Sequence, residues 1–254
     1  MIISDEIYLK EEIEIKKELL DFFKVDNSLT IFDIGTCDGL DAIKYKRLFP
    51  KSTLFAFEPL PANFILLQKN IEKYNCNITP VNIALSNAIG KAEFHVSSGR
   101  PQDISSDVDW DFGNKSSSLL PPNKASEVLP WLEFQEKIEV ETSTLDKFCG
   151  VSSINTIDFI HMDVQGAEML VLEGASDMLS NIKMIWMEVE NVELYKNQPL
   201  KSDVELFLGK NGFTKIKDTV NHIAGDQLWV NLNFFPKKKL THTLWKIYAK
   251  IFSK

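Results

Sequence analysis

Four acidic residues stand at the ends of apolar runs, the place where an α/β protein gathers its ligand contacts: Asp33, Glu58, Asp163 and Glu188. The first run ends in Asp33-Ile34-Gly35-Thr36-Cys37-Asp38-Gly39, and the next, Thr53 to Phe57, ends at Glu58. Gly35 lets the backbone turn sharply with no Cβ in the way, and Gly39 is expected to let the following helix sit close to the sheet. Glu58 falls where nucleotide-binding α/β proteins place an acid on ribose hydroxyls, so it is expected to accept from both. Asp33 is expected to hold the turn or to meet an amino group. The D-x-G-x-x-x-G spacing is not the G-x-G-x-x-G pattern that cradles a pyrophosphate. It suits a nucleoside ligand without one, and S-adenosylmethionine is the common ligand of that kind.

The second constellation runs from Asp158 to Glu168. Strand alternation puts His161 and Asp163 on one side, with Asp163 nearer the crevice. Gly166 permits close backbone approach, and Glu168 falls in the first turn of a helix. Trp186, Glu188 and Glu190 share a side of the following run. If the two runs are neighbours, Asp163 and Glu188 lie beside each other. Carboxylates that close raise one another's pKa and make a usable base. They also suit a shared Mg²⁺, which prefers oxygen ligands, or a hydrogen-bonded network that holds the helix start. Asp163 is the first choice for a base and Glu188 the second; a divalent metal is compatible with the pair but not assigned. His161, flanked by Phe159 and Ile160, completes the catalytic candidates, although its surroundings read as those of a satisfied core histidine.

The elements that position these residues alternate between strand and helix. Strands are expected at Leu29–Ile34, Thr53–Phe57, Ile78–Leu85, Ile157–Met162 and Met184–Val189, with Ala84 at the end of the third. Helices are expected at Leu40–Phe49, Ala62–Tyr74, Ala167–Leu179 and Val204–Asn211. An amphipathic helix, Glu6–Phe23, with Ile7, Ile13, Leu20 and Phe23 among its apolar positions, precedes them. Two late strands, near Phe213–Lys217 and Gln227–Leu232, suggest an antiparallel addition at the edge. This rhythm means a doubly wound, mostly parallel sheet covered on both faces. Residues 87–151 break it. Two β-like runs, Ala92–Val96 and Ile138–Thr142, make this stretch a β-hairpin insertion that overhangs the crevice as a substrate lid. His95, Arg100, Trp110, Trp131 and the polar run Asn114–Ser118 would equip it for sugars; the alternative is a solvated loop with its two tryptophans tucked into the core.

The chain has 254 residues, 44% of them hydrophobic, 25% charged, and a net charge of −8. That length and balance suit one full α/β domain, and the acidity argues against nucleic-acid binding. Cys37, Cys76 and Cys149 form neither a disulfide framework nor a zinc spacing, which fits the cytoplasm. The N-terminal residues do not read as a signal peptide, and no apolar run is long enough to span a bilayer. Residues 237–254 read as a separate tail, with Lys237, Lys238, Lys239, Lys246, Lys250 and Lys254 set among apolar residues at helical spacing. Such a basic amphipathic helix either lies on an anionic membrane surface, at the inner face, or closes against this subunit or a second copy in a homodimer.

Five blocks together resemble the FkbM family of S-adenosylmethionine-dependent methyltransferases. They are Phe32–Gly39, Ala56-Phe57-Glu58-Pro59, Thr144–Phe148, Ile157–Glu168 and Leu172–Ala175, in matching order and spacing from about Leu29 to Leu232. The resemblance implies a class I, Rossmann-like methyltransferase fold with a seven-stranded sheet over residues 1–236, and O-methylation of hydroxyls on sugars or polyketides. By position, Asp33, Gly35, Gly39 and Glu58 match the cofactor motifs. Cys37 and Pro59, inside those blocks, and Ala84 complete the expected cofactor set. Gln165 stands where many members have Glu, and His161 where many have Lys. The expected function is an O-methyltransferase acting on a sugar hydroxyl in a surface glycan or related metabolite. The alternatives are a non-catalytic scaffold that binds the cofactor or a glycan, and a nicotinamide-dependent oxidoreductase, against which the missing G-x-G-x-x-G counts.

Overall fold

The computed structural model describes residues 4–102 and 111–235. Trp110 and the basic tail lie outside the described residues. Two short helices open the chain, α1 (Asp5–Tyr8) and α2 (Lys16–Phe22), in place of the single helix expected over Glu6–Phe23. The tertiary anchor at Tyr8 competes with a continuous helix: its hydroxyl bonds both oxygens of Asp41, at 2.8 and 2.9 Å, and Lys44 lies over its ring. Ile7 and Leu20 face solvent, whereas Phe23 is buried as expected, together with Ile15 and Leu19.

The alternating part begins with β1 (Thr30–Ile34), α3 (Leu40–Leu48), β2 (Thr53–Phe57), α4 (Pro61–Lys73) and β3 (Thr79–Val81). Pro61 starts α4 at the position where its fixed φ and missing N–H cost nothing. The expected third strand then breaks. The Asn82 side chain donates to the Glu58 and Pro59 carbonyls, at 2.7 and 3.2 Å. Beyond Asn82, β4 (Ala84–Leu85) leaves for a second, three-stranded sheet with order β4-β6-β5. There β5 (Gly90–Gly99) and β6 (Leu132–Ser143) form a long antiparallel hairpin, the frame of the insertion. Between its strands lie a 3₁₀ turn, Phe112–Lys115, and α5 (Ala125–Val128).

The chain returns through α6 (Leu145–Val151) to β7 (Phe159–Met162), α7 (Glu168–Glu173), β8 (Met184–Glu190), α8 (Lys201–Lys210), β9 (Phe213–Asp218) and β10 (Ala224–Asn231). The helix expected over Ala167–Leu179 stops at Glu173, because Asp146 captures the chain beyond it. Its carboxylate accepts from the Ser176 hydroxyl and from the Asp177 and Met178 amides, at 2.8–3.0 Å.

The main sheet has order β3-β2-β1-β7-β8-β10-β9. Its first five strands are parallel, and β10 runs antiparallel to both neighbours. The antiparallel strand is therefore inserted next to β8, and β9 takes the edge. Successive apolar residues point to opposite faces. Phe32, Phe57, Ile160 and Met187 pack in one core, and Ile31, Leu54, Phe159 and Trp186 in the other. The order reverses at β1, so a crevice opens beyond the carboxyl ends of β1, β2 and β7.

Candidate active site

The turn after β1 is built on two glycines in left-handed conformation. A Cβ on Gly35 (φ +81°) would stand 1.8 Å from the Asp163 carbonyl oxygen, so Gly35 is where the β1 turn passes against the end of β7. A Cβ on Gly39 (φ +78°) would stand 2.3 Å from Leu67 Cδ1. Gly39 thus makes room for α4, and not for a close approach of α3 to the sheet as the sequence suggested. Between them, Cys37 is also left-handed, at φ +51°. Its amide donates to Glu58 Oε2 at 2.9 Å, while Glu58 Oε1 accepts the Leu60 amide at 2.8 Å. One carboxylate therefore ties the β1 turn to the β2 turn. Burial pushes the Glu58 carboxyl up to about 8, with the two amide bonds pulling the other way.

Asp33 is fully buried beneath this turn. Its Oδ1 lies 2.6 Å from His161 Nδ1, and its Oδ2 accepts the Thr36 hydroxyl at 2.5 Å. Burial opposes the charged form of His161, but the Asp33 carboxylate outweighs it by charge and hydrogen bond and lifts the imidazole to about 9. His161 is therefore an ion-pair partner at neutral pH and not simply a core histidine. Of the two roles expected for Asp33, it performs the holding of the turn.

A cavity, partly open to solvent, lies in the crevice. Gly35, Cys37, Glu58, Pro59, Ala84 and Asp163 line it, whereas Asp33, Gly39, His161 and Glu188 stand outside its lining. The apolar side chains of Ile83, Leu85, Phe94 and Leu119 offer faces for a flat base, and Glu58 offers a carboxylate for hydroxyls. This set fits a nucleoside. Sequence reasoning missed Asn63, which pairs with Asn114 of the insertion through bonds of 3.0 and 3.2 Å. The polar run Asn114–Ser118 was legible, but for a sugar: Asn114, Lys115 and Ser117 line the same cavity as Glu58. Lys115 also lies 3.6 Å from Asp38. Arg100 lines a wider neighbouring groove, and His95 is buried in the hairpin, where its backbone bridges Ser118.

At the end of β7 the chain passes through Gln165 (φ +56°) and Gly166 (φ +87°). Glu168 holds this turn by accepting the Val164 and Gly166 amides, at 3.0 and 3.3 Å. Because β7 and β8 are parallel neighbours, Asp163 and Glu188 come together. The Gln165 amide nitrogen lies 2.6 Å from Asp163 Oδ1 and 2.9 Å from Glu188 Oε2. Burial pushes both carboxyls up, Glu188 the further, with Asp163 adding to the rise at Glu188.

A seven-stranded sheet of this order, with one antiparallel strand and a cavity at its switch point, defines a class I methyltransferase. The chain matches the Methyltransferase FkbM domain over residues 33–215. It is 34% identical over 202 residues to 2-O-methyltransferase NoeI of Sinorhizobium fredii (strain NBRC 101917 / NGR234), covering 79% of each chain. It is 25% identical over 148 residues to Methyltransferase 1 of Beauveria bassiana, covering 58% of each. Among solved structures, precorrin-6y C5,15-methyltransferase from Geobacter metallireducens aligns at TM-score 0.48 and 14% identity, over 91% of this chain and 96% of that one. The chain belongs to the FkbM family of methyltransferases, and its methyl donor is S-adenosylmethionine.

Proposed function

We propose that the protein methylates a hydroxyl of a sugar, in a surface glycan or related metabolite, with Asp163 as the base. The observation that carries this reading is that Glu58 and Asp163, from the ends of β2 and β7, line one cavity. S-adenosylmethionine, when bound, supplies a methyl group on a positively charged sulfur, which leaves as a neutral thioether with the bonding electron pair when an acceptor oxygen attacks. Glu58 accepts from the ribose hydroxyls. Asp163 takes the proton of the acceptor hydroxyl, without which an alcohol is a poor nucleophile. Holding the acceptor in line supplies much of the rate, and the insertion, residues 87–151, is the element that does so. The activity that the NoeI relative is named for, 2-O-methylation, supports oxygen as the acceptor atom.

Among the described residues no helix is long and apolar enough to cross a membrane. The reading places the enzyme in the cytoplasm, with its basic tail at the inner face of the membrane.

Calorimetric titration with S-adenosylhomocysteine tests the cofactor half. The wild type binds, and Glu58→Ala weakens binding by about tenfold or more, the worth of charge-assisted hydrogen bonds. A folded wild type that does not bind would sink the reading. A panel of hydroxylated acceptors, scored by mass spectrometry, then tests the other half; methylation confined to amines or thiols would remove the hydroxyl.

A further inference from the structure

We propose that Gln165 is a positioning residue that joins Asp163 and Glu188 into one bridged pair, with Tyr195 and Ser118 fixing Gln165 itself. The inference rests on the reading of Asp163 as base and adds the means by which that carboxylate is held.

A primary amide has two N–H donors on nitrogen and one oxygen acceptor. Here the nitrogen faces both acids, at 2.6 and 2.9 Å, and the oxygen lies 3.1 Å from the Tyr195 hydroxyl. The reversed orientation would set an oxygen against two carboxylates. Tyr195 is buried, and its single hydroxyl proton is shared between the Ser116 carbonyl at 2.7 Å, which holds the ring in place, and the longer bond to Gln165 Oε1. The backbone of Gln165 is held as well. Its left-handed φ is costly for a residue with a side chain, and the buried Ser118 hydroxyl donates to its carbonyl oxygen at 2.8 Å. Both anchoring serines belong to the insertion, so the insertion sets the bridge as well as roofing the cavity.

Two carboxylates this near share a proton, and a hydrogen bond from the Glu188 carboxyl helps hold the Asp163 carboxyl down. A neutral double donor lets them meet with less protonation. On the surrounding elements, His161 of β7 and Lys115 of the insertion favour the ionised pair. Glu168 of α7, Glu190 of β8 and Asp226 of β10 oppose it.

The test is a carboxyl ¹³C NMR titration of Asp/Glu-labelled protein, with Asp163→Asn assigning the Asp163 signal. Gln165→Met, of similar size and charge but unable to donate, should raise the Asp163 midpoint by at least about one unit, a tenfold gain in proton affinity. Tyr195→Phe should shift it the same way by less, and speed exchange of the Gln165 side-chain amide protons. Cooperative melting shows that each variant is folded. Unchanged Asp163 midpoints in both folded variants would overturn the proposal. The titration reads the protein without cofactor, so failure of S-adenosylhomocysteine to bind would strike the functional reading and not the bridge.

Discussion

Glu58 is buried enough to hold a proton through much of the neutral range, its carboxyl being lifted to about 8. A ribose hydroxyl donates best to the ionised form. Cofactor affinity should therefore rise with pH, by about eightfold between pH 7 and pH 8.5 for a group titrating near 8. His161 sets the other limb. Its imidazole is raised to about 9, so the ion pair under the turn is present below that pH and is lost as pH climbs through it. Calorimetry with S-adenosylhomocysteine across pH 6–10, in two buffers of different ionisation heat, should show a rise, a proton released near pH 7, and a fall beyond pH 9. A flat profile would remove Glu58 as the anchor. The position of Glu58 was legible because it ends an apolar run. The partner of Asp33 was not: the β1–β7 register sets Asp33 against His161, 128 residues away, and no local pattern encodes a register.

At the scale of elements, the two glycines of the β1 turn should respond differently. Gly35→Ala puts a Cβ against the backbone of Asp163, which cannot rotate away, and leaves a left-handed φ. The cost should be about 3 kcal/mol or more, with loss of cofactor binding. Gly39→Ala meets only the tip of the Leu67 side chain. Its cost should stay near the left-handed penalty, about 1–2 kcal/mol. Urea midpoints of the two variants check the order, and equal losses would contradict it. Strand β2 was legible to the residue, because the β-favouring Thr53, Phe55 and Phe57 alternate through an apolar run bounded by turn signals. The third strand and the helix after Ala167 were not. Each is cut by a side chain reaching backbone far along the chain: Asn82 on the Glu58 carbonyl, and Asp146 on the Asp177 and Met178 amides.

The whole molecule is acidic, at −8, yet residues 237–254 hold six lysines and no acid. On the proposal that this segment meets an anionic membrane, the full chain should co-sediment with vesicles containing anionic phospholipid at low salt and be released by added salt. Lys237→Glu with Lys238→Glu and Lys239→Glu should abolish pelleting; equal pelleting of both proteins would remove the membrane from the account. The sheet order has a further consequence, for synthesis. Strand β9 has β10 as its partner in the sheet, and β10 also covers the flank of β8. Until residues 224–231 leave the ribosome, β9 has no ladder to join and β8 presents an unpaired, apolar rim. A nascent chain paused in that interval offers a template for strand pairing with its neighbours on the same messenger. This half of the sheet therefore closes well after the cofactor turn of β1 and β2 has emerged.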